Sequence, residues 1–349
     1  MDKKFVMSIA AMAALTLVSC SSDDLDSLSD NSSKNEAISF DGYLGRSAVA
    51  VNGTRGSEET KETLKTNGFG VFGKYNAAAG QNFGSDLFDN VKVYSSSTAD
   101  PVKWTYDNTK YWPTEGHIDF LAYAPHVDNK TLTGSSIDFT VDGDVTKQKD
   151  LLWANAKDQK KANNSGTNKV EFTFNHALSK IGYAVKKGVT DDNVTITLNK
   201  ITLAGSATDP AVGAFYTDGT IDLSKDLSKA DDAIVLWKNQ KGNQSFTWST
   251  GFSTVTNSVS AGSDYLFVIP QDFSTGTELY VIVDYTISYK KGATATMKST
   301  VSSQIKKNFL QGKAYTINLN IGLTPIEFNA EVNDWDPKDG GESIDASWN

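Results

Sequence analysis

Glu278-Leu279-Tyr280-Val281-Ile282-Val283-Asp284-Tyr285-Thr286-Ile287-Ser288-Tyr289 places Leu279, Val281, Val283, Tyr285, Ile287 and Tyr289 on one face of an extended chain, and the other face turns polar from Asp284 onward. A period of two marks a half-buried strand. Tyr315, Ile317, Leu319 and Ile321 repeat it, as do Ile326, Phe328, Ala330 and Val332. Val194 to Leu198 and Tyr265 to Ile269 are β-branched or aromatic runs of strand length. Turn formers punctuate the runs at Asp142-Gly143, Asp218-Gly219, Lys291-Gly292 and Gln311-Gly312. Ser57 to Leu64, with carboxylates in its first turn, is the one clear helix candidate. Many short strands separated by turns predict an all-β chain built as β-sandwiches.

The chain has 349 residues, which suits two domains. The longest polar interruption, Lys160 to Lys169, sets the predicted division: residues 37–165 form one sandwich and 166–349 the other. A formal net charge of −9 lacks the basic footprint of a nucleic-acid binder. Three histidines and one cysteine leave little for a zinc site, a disulfide framework or a histidine triad.

The N-terminus reads as a targeting segment. Lys3 and Lys4 precede an apolar run from Phe5 to Val18, interrupted only by Ser8 and Thr16. That length suits a signal-peptide core and is short for a membrane-spanning helix. It ends in Leu17-Val18-Ser19-Cys20, which resembles a bacterial lipobox, with residues 1–19 as signal peptide and Cys20 as the lipidated residue. The alternative is a plain secretory signal followed by a stray cysteine. Residues 20–36 are acidic and serine-rich, a solvated tether. Their acidic cluster also resembles a lipoprotein surface-export signal; a charged spacer explains it as well.

Gly68-Phe69-Gly70-Val71-Phe72-Gly73 matches the dinucleotide fingerprint in letters. It lies inside an apparent strand with no helix opening on it, so nucleotide binding is not expected. Asp334, Asp336, Asp339 and Glu342, and Asp138, Asp142 and Asp144, lack EF-hand spacing and read as acidic turns, with no metal expected. His117, His126 and His176 read as structural histidines. No nucleophile elbow appears, and no carboxylate pair is nominated for glycosidase chemistry. No catalytic residue and no cofactor is predicted. Seven tryptophans raise the alternative of a glycan-binding face, although large sandwich cores also use aromatics.

Only two of the 33 basic residues are arginines, Arg46 and Arg55, and both sit among small, flexible residues early in the chain. Exposed tips of that kind are where proteases cut. Upstream, Ile38 and Phe40 alternate as in a short strand. A cut after either arginine would detach that strand together with the tether and the lipid.

These residues, taken with a series of short motifs, give the chain a resemblance to the fimbrillins, the Mfa-like and FimA-like pilus subunits of Bacteroidales. The motifs are the lipobox, Thr54-Arg55, Phe69-Gly70-Val71-Phe72, Trp104-Thr105-Tyr106 and Lys110-Tyr111-Trp112-Pro113. They continue through Ile118 to Pro125, Asp150 to Ala154, Phe174 to Leu178 and Val332-Asn333-Asp334-Trp335. The resemblance implies two tandem transthyretin-like β-sandwiches. It also implies a lipoprotein precursor that reaches the outer membrane, trimming by an arginine-specific protease, and assembly with other pilus subunits by donor-strand exchange in support of adhesion. Arg55, in its Thr-Arg context, is the favoured cut, with Arg46 the alternative. Ile38 and Phe40 belong to the displaced strand. In the tail, Ser343 to Trp348 alternates usefully, with Ile344, Ala346 and Trp348 on one face as donor-strand residues. An uncleaved surface lipoprotein that binds glycan or host protein is the competing reading.

Overall fold

The structure is a computed structural model describing residues 37–44, 57–77, 85–95, 97, 102–161, 169–226, 236–262, 264–290, 295–323, 327–334 and 342–345. Cys20, Arg46, Arg55, Ala346 and Trp348 lie outside the described residues.

The first strands in chain order are β1 Ser39–Leu44, β2 Phe69–Asn76, β3 Ser85–Ser95, β4 Trp104–Thr105, β5 His117–Ala124, β6 Ser136–Thr140, β7 Leu152–Gln159 and β8 Lys169–His176. There follow β9 Ser179–Lys187, β10 Val194–Ala204, β11 Asp218–Asp222, β12 Trp237–Lys241, β13 Phe246–Val255, β14 Ser260–Ala261, β15 Leu266–Val268 and β16 Gln271–Asp272. The last are β17 Tyr280–Tyr289, β18 Ala295–Gln304, β19 Asn308–Phe309, β20 Lys313–Ile321, β21 Glu327–Asp334 and β22 Glu342–Asp345. Among the described residues one helix, α1, spans Lys61–Asn67. The chain is all-β, as its alternation predicts. Among the described residues, no helix is long and apolar enough to cross a membrane.

Seven strands form the first sheet, in the order β1-β8-β7-β5-β2-β3-β4. The later strands build a four-stranded sheet β13-β10-β17-β18 and a sheet β14-β9-β20-β21-β22, in which β15 also pairs with β9. A third sheet joins β6 to β11 and β12. Strands on both sides of 165/166 therefore share a sheet, because β8 pairs with β7. Likewise β6, from before that division, pairs with β11, from after it.

Strand β5 shows how the sheet is used. It is buried at every position, so from Phe120 to Ala124 it reads as a continuous apolar run rather than an alternation. Ile118, Phe120, Ala122 and Ala124 enter one hydrophobic cluster together with Ile38, Phe40, Phe69, Phe88, Phe172 and Phe174. Leu121 and Tyr123 point the other way, with Phe72 and Trp153, into a larger cluster that holds Ile137, Phe215, Trp248, Val283 and Ile317. The seven-stranded sheet thus carries the Phe120 cluster on one face and contributes to the Phe215 cluster on the other. The motifs around Phe69, Ile118, Asp150 and Phe174 lie on the strands of this shared sheet.

Two expectations are corrected. The helix begins at Lys61, not Ser57, because Thr60 is its N-cap. The Thr60 hydroxyl accepts from the Thr63 amide at 3.2 Å, and the Thr63 hydroxyl accepts from the Thr60 amide at 2.6 Å. Residues before Thr60 are drawn instead into extended pairing with residues 148–150. Asp218-Gly219 is no turn. It opens β11, where the register to β12 shifts between Asp218 and Thr220. A Cβ on Gly219 would come within 2.9 Å of the Trp237 ring, so the glycine serves a bulge and a close approach.

Gly70 and Gly73 lie inside β2, paired with strands on both sides. Side chains there would collide with the Tyr123 and Phe88 rings. Gly70 and Gly73 are therefore packing sites, whereas Gly68, the remaining glycine of the fingerprint, caps α1 at a φ of 69°.

Candidate functional site

Strand β1 is the outermost of the seven and runs parallel to β8, with Phe40 opposite Val170 and Leu44 opposite Phe174. Its inward residues belong to the core: Ile38 is 1% exposed and Phe40 2%. The Phe40 ring lies 5.4 Å from each of Phe88, Tyr106 and Phe120, and stacks on Phe172 at 5.8 Å. Burying Ile38 and Phe40 contributes about 3–6 kcal/mol at roughly 1.5–3 kcal/mol each, before ordering costs. Gly42 is the next inward position. A Cβ there would stand 3.1 Å from the Phe69 ring and 3.4 Å from the Phe174 ring, so this point of the strand is kept narrow.

The N-terminal end of β1 also reaches the opposite edge of the sheet. The Ile38 amide donates to the Lys110 carbonyl at 2.8 Å, and Ala37 forms an antiparallel bridge with Tyr111. The Tyr106 hydroxyl, just past β4, donates to the Ile38 carbonyl at 2.7 Å. Burial pushes the Tyr106 phenol above its usual value. Strand β1 therefore closes the seven-stranded sheet on itself: a ladder to β8 on one side, single backbone contacts beside β4 on the other. Its outer face is wet. Tyr43 is half exposed and donates to Asp41, which also meets Lys169 at 3.5 Å.

Both arginines fall in residues 45–56, between β1 and the next described residue, Ser57. From Ser57 the chain is fastened. The Ser57 amide donates to the Gln148 carbonyl at 3.0 Å, and the Ser57 carbonyl accepts from the Asp150 amide at 2.9 Å. The Glu59 amide donates to the Asp150 carboxylate at 3.3 Å, which lies 2.7 Å from Nδ1 of His176. His176 is buried here.

At the other terminus, β22 is the last strand of its sheet and pairs antiparallel with β21, Ile344 opposite Ala330. Trp112, Trp153, Trp237 and Trp248 are buried in the two clusters, and Trp104 is half-buried. These five tryptophans build cores rather than an exposed row. Among the described residues, no group of three or more His, Cys, Asp or Glu side chains is arranged to hold a metal ion.

Residues 54–335 match the model of a family described as fimbrillin-like. The chain belongs to the fimbrillin-like family. The fimbrium subunit Fim1C of Phocaeicola vulgatus ATCC 8482 is 27% identical over 93% of this chain and 94% of its own length. A fimbrial protein of Bacteroides vulgatus ATCC 8482, known from its crystal structure, superposes with a TM-score of 0.61 at 21% identity, covering 86% of this chain and 99% of that one. That likeness shows the fold. Within this fimbrillin-like chain, the sequence located Ile38 and Phe40 but not their partners. Tyr106 and Lys110 stand about seventy positions away and bear no local mark of contact with Ile38.

Proposed function

We propose that this protein is a structural pilus subunit, displayed at the cell surface, that polymerises once β1 has been removed. The observation that carries the reading is the placement of β1. Its apolar side chains are core and its backbone closes a sheet. It joins the rest of the chain through the segment that holds the protein's two arginines. A cut after Arg55, or after Arg46, severs that connection. Losing β1 would uncover the β8 edge and an aromatic groove lined by Phe69, Phe88, Phe120 and Phe172, a surface that calls for a replacement strand.

In this reading the precursor is an outer-membrane lipoprotein lipidated at Cys20 after loss of residues 1–19, with residues 20–36 as its tether. An arginine-specific protease releases it. The chain forms two tandem transthyretin-like sandwiches, the first ending near β8 rather than at 165, and lending β6 to the sheet of β11. The tail of a second copy is the donor. Reading the tail in the direction opposite to β1 matches Ile344 to Leu44, Ala346 to the narrow Gly42 position and Trp348 to the Phe40 pocket. A donor in that sense pairs antiparallel with β8, the slightly more stable ladder. Donation costs the four-residue pairing of β22 with β21. Head-to-tail contacts of this kind propagate instead of closing.

The test is limited digestion, by an arginine-specific protease, of a soluble form that begins after Cys20, followed by intact mass and electron microscopy. A single cut, a folded remainder and filaments or oligomer ladders support the reading. A cut chain that stays monomeric removes support for shaft assembly.

A further inference from the structure

Strand β18 ends the sheet β13-β10-β17-β18, and among the described residues it pairs with β17 alone. That ladder runs from Tyr280 opposite Gln304 to Tyr289 opposite Ala295 with no register shift. Strand β10, by contrast, is bulged between Leu198 and Lys200 against both its neighbours. An edge strand carries unpaired backbone groups along one side, and proteins blunt such edges with proline, bulges or charges. Residues 295–304 hold no proline and one charged residue, Lys298. Met297, Ser299 and Val301 stand opposite the buried Ile287, Tyr285 and Val283, on the core face. Yet Met297 is 57% exposed and Val301 only partly buried. On the outer face Thr296, Lys298 and Thr300 are exposed, opposite Ser288, Thr286 and Asp284.

We propose that β18 is a docking edge for the β18 of a second copy, joined antiparallel about Ser299, and that this contact links pilus subunits side by side. The link between pili rests on the function proposed above; the pairing itself does not. The strand's own sequence selects both occupant and register. In a twofold antiparallel pair the two core faces stay continuous only when the axis passes through a residue, since a one-residue slip turns a core face outward. An axis at Lys298 sets two ammonium groups against each other. An axis at Thr300 sets Met297 on Ser303 and Val301 on Ser299. An axis at Ser299 sets Met297 of each copy on Val301 of the other, so that the exposed methionines continue the core across the joint. The same axis sets Lys298 on Thr300 of the second copy. Thr300 donates to Asp284 at 2.6 Å, so each ammonium arrives beside a carboxylate one strand further in, which also meets Lys200 at 3.2 Å.

Directly opposed residues of paired strands stand about 4.5–5.5 Å apart between Cβ atoms, close enough for each of these pairs to touch. The paired stretch, Ala295 to Ser303 of each copy, is a small interface, so two isolated copies associate weakly. Along two pili the contact recurs at every subunit, and weak contacts held on a common scaffold reinforce one another through effective concentration. The edge is present before trimming as well as after it, since β18 and β1 belong to different sheets.

The experiment uses the untrimmed chain beginning after Cys20, which then holds no cysteine. Ser299→Cys and Val301→Cys are oxidised in parallel and weighed without reduction. The expected result is a disulfide-linked dimer from Ser299→Cys and none from Val301→Cys, whose two copies the register keeps roughly 13 Å apart. Sedimentation of the unaltered chain should show a dimer that grows with concentration. Thr300→Lys, at an exposed position, sets like charges opposite each other twice in the dimer and should weaken association about tenfold. Adding Lys298→Glu to that variant makes both pairs opposite in sign and should restore association. Four results overturn the proposal: equal crosslinking of the two cysteine variants, an unaltered chain that stays monomeric at every concentration, association that Thr300→Lys leaves unchanged, or a loss that Lys298→Glu does not restore. None of these readouts involves a cut at either arginine, so the processing reading is tested separately.

Discussion

The hydroxyl of Tyr106 donates to the carbonyl oxygen of Ile38 at 2.7 Å, across a sequence separation of 68 residues. Together with the Ile38 amide bond to Lys110, it holds the start of β1 against the far edge of the sheet. Tyr106→Phe keeps the ring beside Phe40 and removes this bond together with the one the hydroxyl accepts from the Lys110 amide at 3.2 Å. The expected cost to the untrimmed chain is about 1–3 kcal/mol. A denaturant midpoint at unchanged slope checks it.

Phe40→Ala empties the pocket between Phe88, Tyr106, Phe120 and Phe172. The untrimmed chain should lose about 3–5 kcal/mol. The effect should disappear after trimming, because the altered residue leaves with β1. Denaturant curves before and after digestion separate the two. Equal losses in both forms would show that Phe40 does not depart with the cut.

Gly42→Val tests the narrow point of the strand. Its Cβ would press on the Phe69 and Phe174 rings. The expected loss is about 1–3 kcal/mol in the untrimmed chain. A thermal midpoint unchanged from the parent would mean that the rings yield freely.

Asp222 supplies a pH dependence of stability. Burial pushes its carboxyl up, but bonds from Ser135 and Ser224 at 2.7 Å, and from Lys238 at 3.1 Å, outweigh burial and leave it well below the usual range. A lowered carboxyl stabilises the fold above its ordinary value near 3.9 and loses that contribution as the pH falls toward its folded value. The parent's thermal midpoint should therefore drop more steeply below about pH 4 than that of Asp222→Asn.

Sequence reading succeeded where one face of a strand is wet. In β17, Val281, Val283, Tyr285 and Ile287 alternate and are buried as the period requires. In β20, Tyr315, Ile317, Leu319 and Ile321 do the same. It was silent about β5, whose two faces feed different clusters, because a strand buried on both sides has no period to read. Asp218-Gly219 misled because a bulge glycine against Trp237 uses the same letters as a turn glycine. The helix start was misplaced because long-range pairing of Ser57 with Gln148 and Asp150 overrode a local signal. At the site, the alternation of Ile38 and Phe40 marked β1 as a strand, and the composition marked the arginines beside it. The contacts that make β1 the closing strand, from Tyr106, Lys110 and Phe172, are set by topology, which spacing does not encode.

The central claim is that β1 is a removable strand whose place against β8 is taken by a second copy. Amide hydrogen exchange at residues 169–174 tests it most directly, followed in the untrimmed chain, in the freshly trimmed monomer and in the assembled product. The account predicts slow exchange, then fast exchange, then slow exchange again. Unchanged protection on trimming, or assemblies in which the β8 edge stays open to exchange, would contradict it.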